Sequence, residues 1–135
     1  MKFEIHIFND TAHKPIPRAK MQRVIENVLH GEKILEARVS VVVVDDMRIH
    51  AMNKEFLQHD YPTDIITFSL EDEDIDGEMY ISIDTARRQA KEYGVSLTNE
   101  LSRLAAHGTL HLVGYDDAKA EDRTNMSKLE DKYMA

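Results

Sequence analysis

The sequence predicts an α+β fold: a single domain over residues 1–135 in which a four-stranded mixed sheet is covered by about five helices. Three observations carry that expectation. Every strand-like run lies before residue 84, helical spacing fills most of the remainder, and 135 residues with 42% apolar and 31% charged side chains match one globular unit. The chain can bury a core and is too short for two full domains.

Residues 2 to 8 place Phe3, Ile5 and Ile7 at period two, the pattern of a strand with one buried face. Pro15 and Pro17 punctuate the following loop. From Ala19 to His30, Met21, Val24, Ile25, Val28 and Leu29 fall at helical spacing, with Gly31 as the stop. Arg38 to Val44 is a β-branched run too apolar for a one-sided edge, so it predicts a central strand. Asp45 suits the N-cap of a short helix through Met47, Ile49, Met52 and Phe56. A loop over Gln58 to Asp64 leads to a third strand, Ile65 to Leu70. The acidic stretch Glu71 to Glu78 reads as a solvated turn into a fourth strand, Met79 to Ile83, the pair forming a hairpin. Asp84 or Thr85 can cap a helix to about Tyr93, ended by Gly94, and Thr98 can cap another through Val113, ended by Gly114. A last helix runs from Glu121 to Met134.

Composition narrows the function classes. The 25 acidic residues exceed the 17 Lys and Arg, a formal charge of −8, so a broad polyanion-binding surface is excluded and any nucleic-acid contact must be local. With no cysteine there is no disulfide framework, thiolate zinc finger or thiol nucleophile. The alternating N-terminus lacks an apolar signal core, and no run approaches the ~20 residues of a membrane span. A soluble cytoplasmic protein is the expectation.

The segment His107 to Asp117 carries the chemistry. Residues four apart stack on one helix face, so the imidazoles of His107 and His111 can converge on one ion. With Leu101 at 0°, Leu104, Ala105, Gly108 and Leu112 fall within about 60° of it, and the histidines near about 240° and 280°, flanking the apolar stripe. Gly114 can end the helix and turn the chain so that Asp117 supplies an oxygen ligand, leaving a position open as catalytic metals require. The spacing is that of a zincin-like site on a C-terminal helix, but a metzincin peptidase carries its glutamate base directly after the first histidine, where this chain has Gly108.

These residues resemble the YbeY family of metal-dependent endoribonucleases. The family pattern H-G-x-L-H-L-x-G-Y-D-H is met from His107 to Asp117, and P-T-D-(V/I)-(L/I)-(S/T)-F is met from Pro62 to Phe68. Similarity extends through Gly77 to Asp84, Glu100 to Leu104, and Met126 with Glu130, and is least in residues 1 to 35. The resemblance implies a single-strand-specific endoribonuclease of ribosomal RNA maturation and ribosome quality control, with ribosomal RNA and the ribosome or its small subunit as partners, and neither DNA nor membrane. It implies one zinc ion held by His107 and His111, with Asp117 where the family has its third histidine. Two histidines and a carboxylate also suit Fe(II) and Mn(II).

A second departure is Leu57, where the family commonly places a phosphate-binding arginine after the aromatic Phe56. His59 and Lys54 lie nearby as partial replacements. Asp116 is a candidate proton acceptor, with Asp64 and Glu100 behind it, and Arg87, Arg88, Lys91 and Arg103 are candidates for a local RNA-binding patch. The alternatives are a ribosome-assembly binding factor whose metal is structural and, disfavoured by Gly108, a metallopeptidase.

Overall fold

The structure is a computed structural model that describes residues 2–13, 15–70 and 75–135. Its elements run β1 (Lys2–Asn9), α1 (Arg18–Gly31), β2 (Glu36–Val44), α2 (Asp46–Leu57), β3 (Ile65–Ser69), β4 (Ile75–Ser82), α3 (Ile83–Tyr93), α4 (Leu97–Val113) and α5 (Ala120–Met134). The strands form one sheet in the order β1-β2-β4-β3, with β1 and β4 parallel to β2, and β3 antiparallel to β4. This is the expected mixed sheet, with β2 at its centre.

Strand alternation sorts the side chains into two faces. Phe3, Ile5 and Ile7 of β1, Val39, Val41 and Val43 of β2, and Met79 and Ile81 of β4 pack under α1, α3 and α4. Val42, Val44, Ile66, Phe68 and Tyr80 point to the opposite face, where Ile49 and Met52 of α2 cover them. A third cluster lies between helices: Val24 and Val28 of α1, Ala106 and Leu110 of α4, and Met126 and Tyr133 of α5. Helix α4 is therefore enclosed by α1, α3, α5 and the sheet, and little but its histidine edge is left accessible.

Several boundaries differ from the expectation: β2 begins at Glu36, and Gly31, the expected stop of α1, is its last helical residue with Glu32 as the cap. β4 begins at Ile75, so the second half of the acidic stretch is strand and not turn; residues 71–74 lie outside the described residues. Pairing with β2 explains it, since Ala37 and Arg38 lie opposite Ile75 and Asp76, and the Arg38 guanidinium stands 3.6 Å from the Asp76 carboxylate. The cap of α3 is Ser82, whose hydroxyl accepts from the Thr85 N–H at 3.2 Å, because the Asp84 carboxylate instead accepts from the Asp46 N–H at the start of α2. The cap of α4 is Ser96, accepting from the Asn99 N–H at 3.0 Å, which places Thr98 inside the first turn. Asp45 does cap α2, through the Arg48 N–H at 2.9 Å.

Candidate metal centre

His107 and His111 sit on adjacent turns of α4, each about three-quarters buried at the edge of its apolar surface. Their Nε2 atoms are 3.1 Å apart. Gly114 then adopts φ +124°, a backbone state that L side chains rarely enter, and turns the chain back. In that turn the Asp116 carboxylate accepts from the N–H groups of Asp117 and Ala118, at 2.8 and 3.2 Å. Asp116 thus shapes the turn and Asp117 faces the histidines, with Oδ2 3.4 Å from His107 Nε2 and 3.3 Å from His111 Nε2.

The three ligand atoms make a nearly equilateral triangle. A tetrahedral ion with bonds of about 2.0–2.1 Å spaces its ligands about 3.3 Å apart, so the donor set fits a zinc-sized divalent cation without rearrangement. It is the one group of three or more potential ligands found among the described residues.

The opposite ring nitrogens are committed. His107 Nδ1 lies 2.8 Å from Glu130 Oε2, and His111 Nδ1 lies 3.0 Å from the Tyr115 carbonyl oxygen. An Nδ1–H donated to each acceptor leaves both Nε2 lone pairs directed at the cation. Glu130 is held by Arg103, whose Nη1 donates to Oε1 at 2.9 Å while Nη2 donates to Asp131. Burial opposes the charged imidazolium of His107, yet the hydrogen bond and charge of Glu130, with Asp117 and Asp64 beyond, raise its pKa above the ordinary value. Desolvation, reinforced by the charge of Asp64, raises Glu100 to about 7. Its Oε1 is buried without a hydrogen-bond partner.

Gly108 is a packing residue. A Cβ built there would come within 2.8 Å of Ile65 Cδ1 and 2.9 Å of Met79 Sδ, so the space for a metzincin glutamate is filled by the sheet. The triangle opens into a cleft of about 310 Å³ whose wall includes Leu57, Thr63, Asp64 and Thr67; among the described residues no Lys or Arg lines it.

The remaining predicted residues are dispersed. His59 is exposed in the loop between the cleft-lining Leu57 and Thr63, stacked on Tyr61 at 5.3 Å, and Lys54 is exposed on α2. On α3, Arg87 meets His13 Nδ1 at 2.7 Å, Arg88 pairs with Asp46 at 2.8 Å, and Lys91 is exposed. Arg103 belongs to the Glu130 network and lies away from them on α4. Sequence reasoning left Glu130 and the Tyr115 carbonyl out of the site. A signal existed for Glu130, a glutamate on the same helical face as Met126 and Tyr133, which are otherwise an apolar stripe on α5.

Comparison with known proteins agrees with this geometry. The family model described as endoribonuclease YbeY matches residues 6–135. A protein of that name from Chloroherpeton thalassium is 43% identical over 130 residues, covering 96% of this chain and 92% of the relative. Another from Salinibacter ruber is 33% identical over 140 residues, covering 96% and 89%. The solution structure of TM1509 from Thermotoga maritima superposes with a TM-score of 0.68 at 28% identity, over 96% of this chain and 86% of that one. Matched along almost its whole length, the chain belongs to the YbeY endoribonuclease family.

Proposed function

We propose that this chain is a metal-dependent endoribonuclease that cuts single-stranded RNA in ribosomal RNA maturation and ribosome quality control, on the ribosome or its small subunit in the cytoplasm, with zinc as the resident ion. The observation that carries the reading is the triangle of His107, His111 and Asp117 facing an open cleft, in a chain whose relatives are named endoribonucleases. His107, His111 and Asp117 would hold a divalent ion, which would supply Lewis-acid polarisation of a phosphoryl oxygen and a more acidic water. The chain's own residues supply the rest. His107 and His111 hold their rings through Glu130 and the Tyr115 carbonyl, so no reorganisation is needed when substrate arrives. Asp64 lines the cleft and would accept a proton, a role less suited to Asp116, which is not among the described residues of the cleft wall. Lys91, exposed on α3, offers charge to the RNA backbone, with Arg87 and Arg88 beside it able to exchange their contacts to His13 and Asp46 for phosphate, and His59 offers a ring N–H from the loop after α2.

One observation favours a second reading, an RNA-binding assembly factor with a structural ion: among the described residues no Lys or Arg lines the cleft, whose wall has Leu57 where the family commonly has an arginine. A single-strand RNA cleavage assay divides the two. Cleavage that stops with chelator, returns with zinc and is lost in His111→Ala supports the nuclease; tight RNA binding without cleavage by the zinc-loaded chain supports the factor. About one ion per chain is expected, abolished by His107→Ala or His111→Ala.

A further inference from the structure

Beside the metal cleft is a second cavity, of about 150 Å³. Asp64 and His107 line both, so the two form neighbouring compartments of one surface. The smaller has an apolar wall in Leu104 and the ring of Tyr93, which is 59% exposed, and polar groups in Gln89 and Glu100. Glu100 is 2% exposed and its Oε1 has no hydrogen-bond partner among the described residues. Leaving a buried acceptor unpaired costs about 1–3 kcal/mol, so this position is built for a hydrogen-bond donor that is absent from the protein itself.

We infer that this cavity is a nucleobase subsite, and that it selects a base carrying an exocyclic amine, which donates to Glu100 while the ring lies against Tyr93. The choice of ligand rests on the RNA-cutting reading above. Single-stranded RNA is recognised by splaying bases out, stacking them on aromatic side chains and bonding their edges to polar groups. A flat ring suits the Tyr93 and Leu104 walls, the amine suits the orphaned carboxylate, and the attached phosphate is left beside the metal cleft. A second cation is the competing occupant. It is disfavoured because the Arg103 guanidinium lines the same cavity, and because no group of three ligands among the described residues includes Glu100.

Cytidine and uridine 5′-monophosphates test this, since they share a shape and differ only in an amine or a carbonyl at one ring position. Calorimetry with the zinc-loaded chain at about pH 8.5, where Glu100 is ionised and can only accept, should show the cytidine nucleotide bound on the order of tenfold more tightly. Glu100→Gln, which can accept from an amine or donate to a carbonyl, should bring the two within about twofold, and Tyr93→Ala, at an exposed position, should weaken both. Equal affinities in the wild type, or a preference that survives Glu100→Gln in a variant of unchanged zinc content, overturn the subsite. So does a manganese titration that finds a second ion lost in Glu100→Gln, which would make the cavity a cation site. Oligoribonucleotides with cytidine or uridine beside the scissile bond separate the two readings. Cleavage without preference removes the subsite alone, whereas nucleotide discrimination without cleavage leaves the subsite standing and removes the nuclease.

Discussion

Glu130 would act on a bound metal through His107. Its carboxylate fixes which ring nitrogen carries the proton and adds electron density to the ligating one, and partners of this kind are commonly worth ten- to a hundredfold in metal affinity. Glu130→Gln keeps the shape and removes the charge, so zinc competition titrations should show a loss of about that size with the fold retained. The raised pKa of His107 has a consequence for pH. Protons compete with the ion for Nε2, so zinc affinity should begin to fall at a pH above the ordinary imidazole range; a decline starting well below it would contradict the Glu130 pairing. Glu100 works in the opposite sense to a paired carboxylate. Its folded pKa is about 7 against 4.5 unperturbed, so the folded state keeps a proton that the unfolded chain releases. Stability from this group is present at acid pH and is lost as pH rises from 4.5 to about 7. The chelator-treated Glu100→Gln chain should therefore be the more stable at pH 8, by up to about 3 kcal/mol, and the difference should shrink toward pH 5.

Among the elements, α4 has the most to carry, and its ends are made by different means. Ser96 satisfies an N–H at the start and Gly114 takes the positive φ at the finish. Ser96→Ala should cost about 1 kcal/mol in urea unfolding, with little change in metal stoichiometry because the histidines lie three turns away. The junction of α1 and α5 is tighter. A Cβ at Gly31 would stand 2.2 Å from Tyr133 Cε1, and the Tyr133 hydroxyl donates to Glu32. Gly31→Ala should destabilise by about 1–3 kcal/mol, since a buried ring with a bonded hydroxyl cannot swing away as a methionine tip can. Much of this level was legible beforehand. Periodicity together with cap and stop residues located the nine elements of the described residues; Asp45 was a readable cap, and Gly94 and Gly114 were readable stops. Gly31, read as a stop, proved to be a contact with a helix a hundred residues away, which no local pattern records.

At the scale of the whole molecule, an ion held by His107, His111 and Asp117 would tie the last turns of α4 to the connection that leads into α5, and Glu130 ties α5 back to α4. An ion bound by the folded state alone stabilises it by mass action, about 4 kcal/mol at a thousandfold excess over its dissociation constant. Chelation should therefore lower the thermal midpoint by on the order of 10 °C, and the shift should vanish in His111→Ala. No helix among the described residues is long and apolar enough to cross a membrane.

From the sequence alone one could place His107 over His111, the turn at Gly114 and a carboxylate shortly after it, because a helix sets the angle between residues four apart wherever it lies in the molecule. The same holds for the central β2 strand, whose end from Val41 to Val44 is apolar toward both faces of the sheet. Tertiary structure alone decided that Glu130 would orient His107, that Glu100 would be buried without a partner, and that Gly108 would be pressed against Ile65 and Met79. Those outcomes depend on which surfaces the apolar stripes of α4 and α5 bury together. Burial then determines which charged groups keep water and which must find a partner.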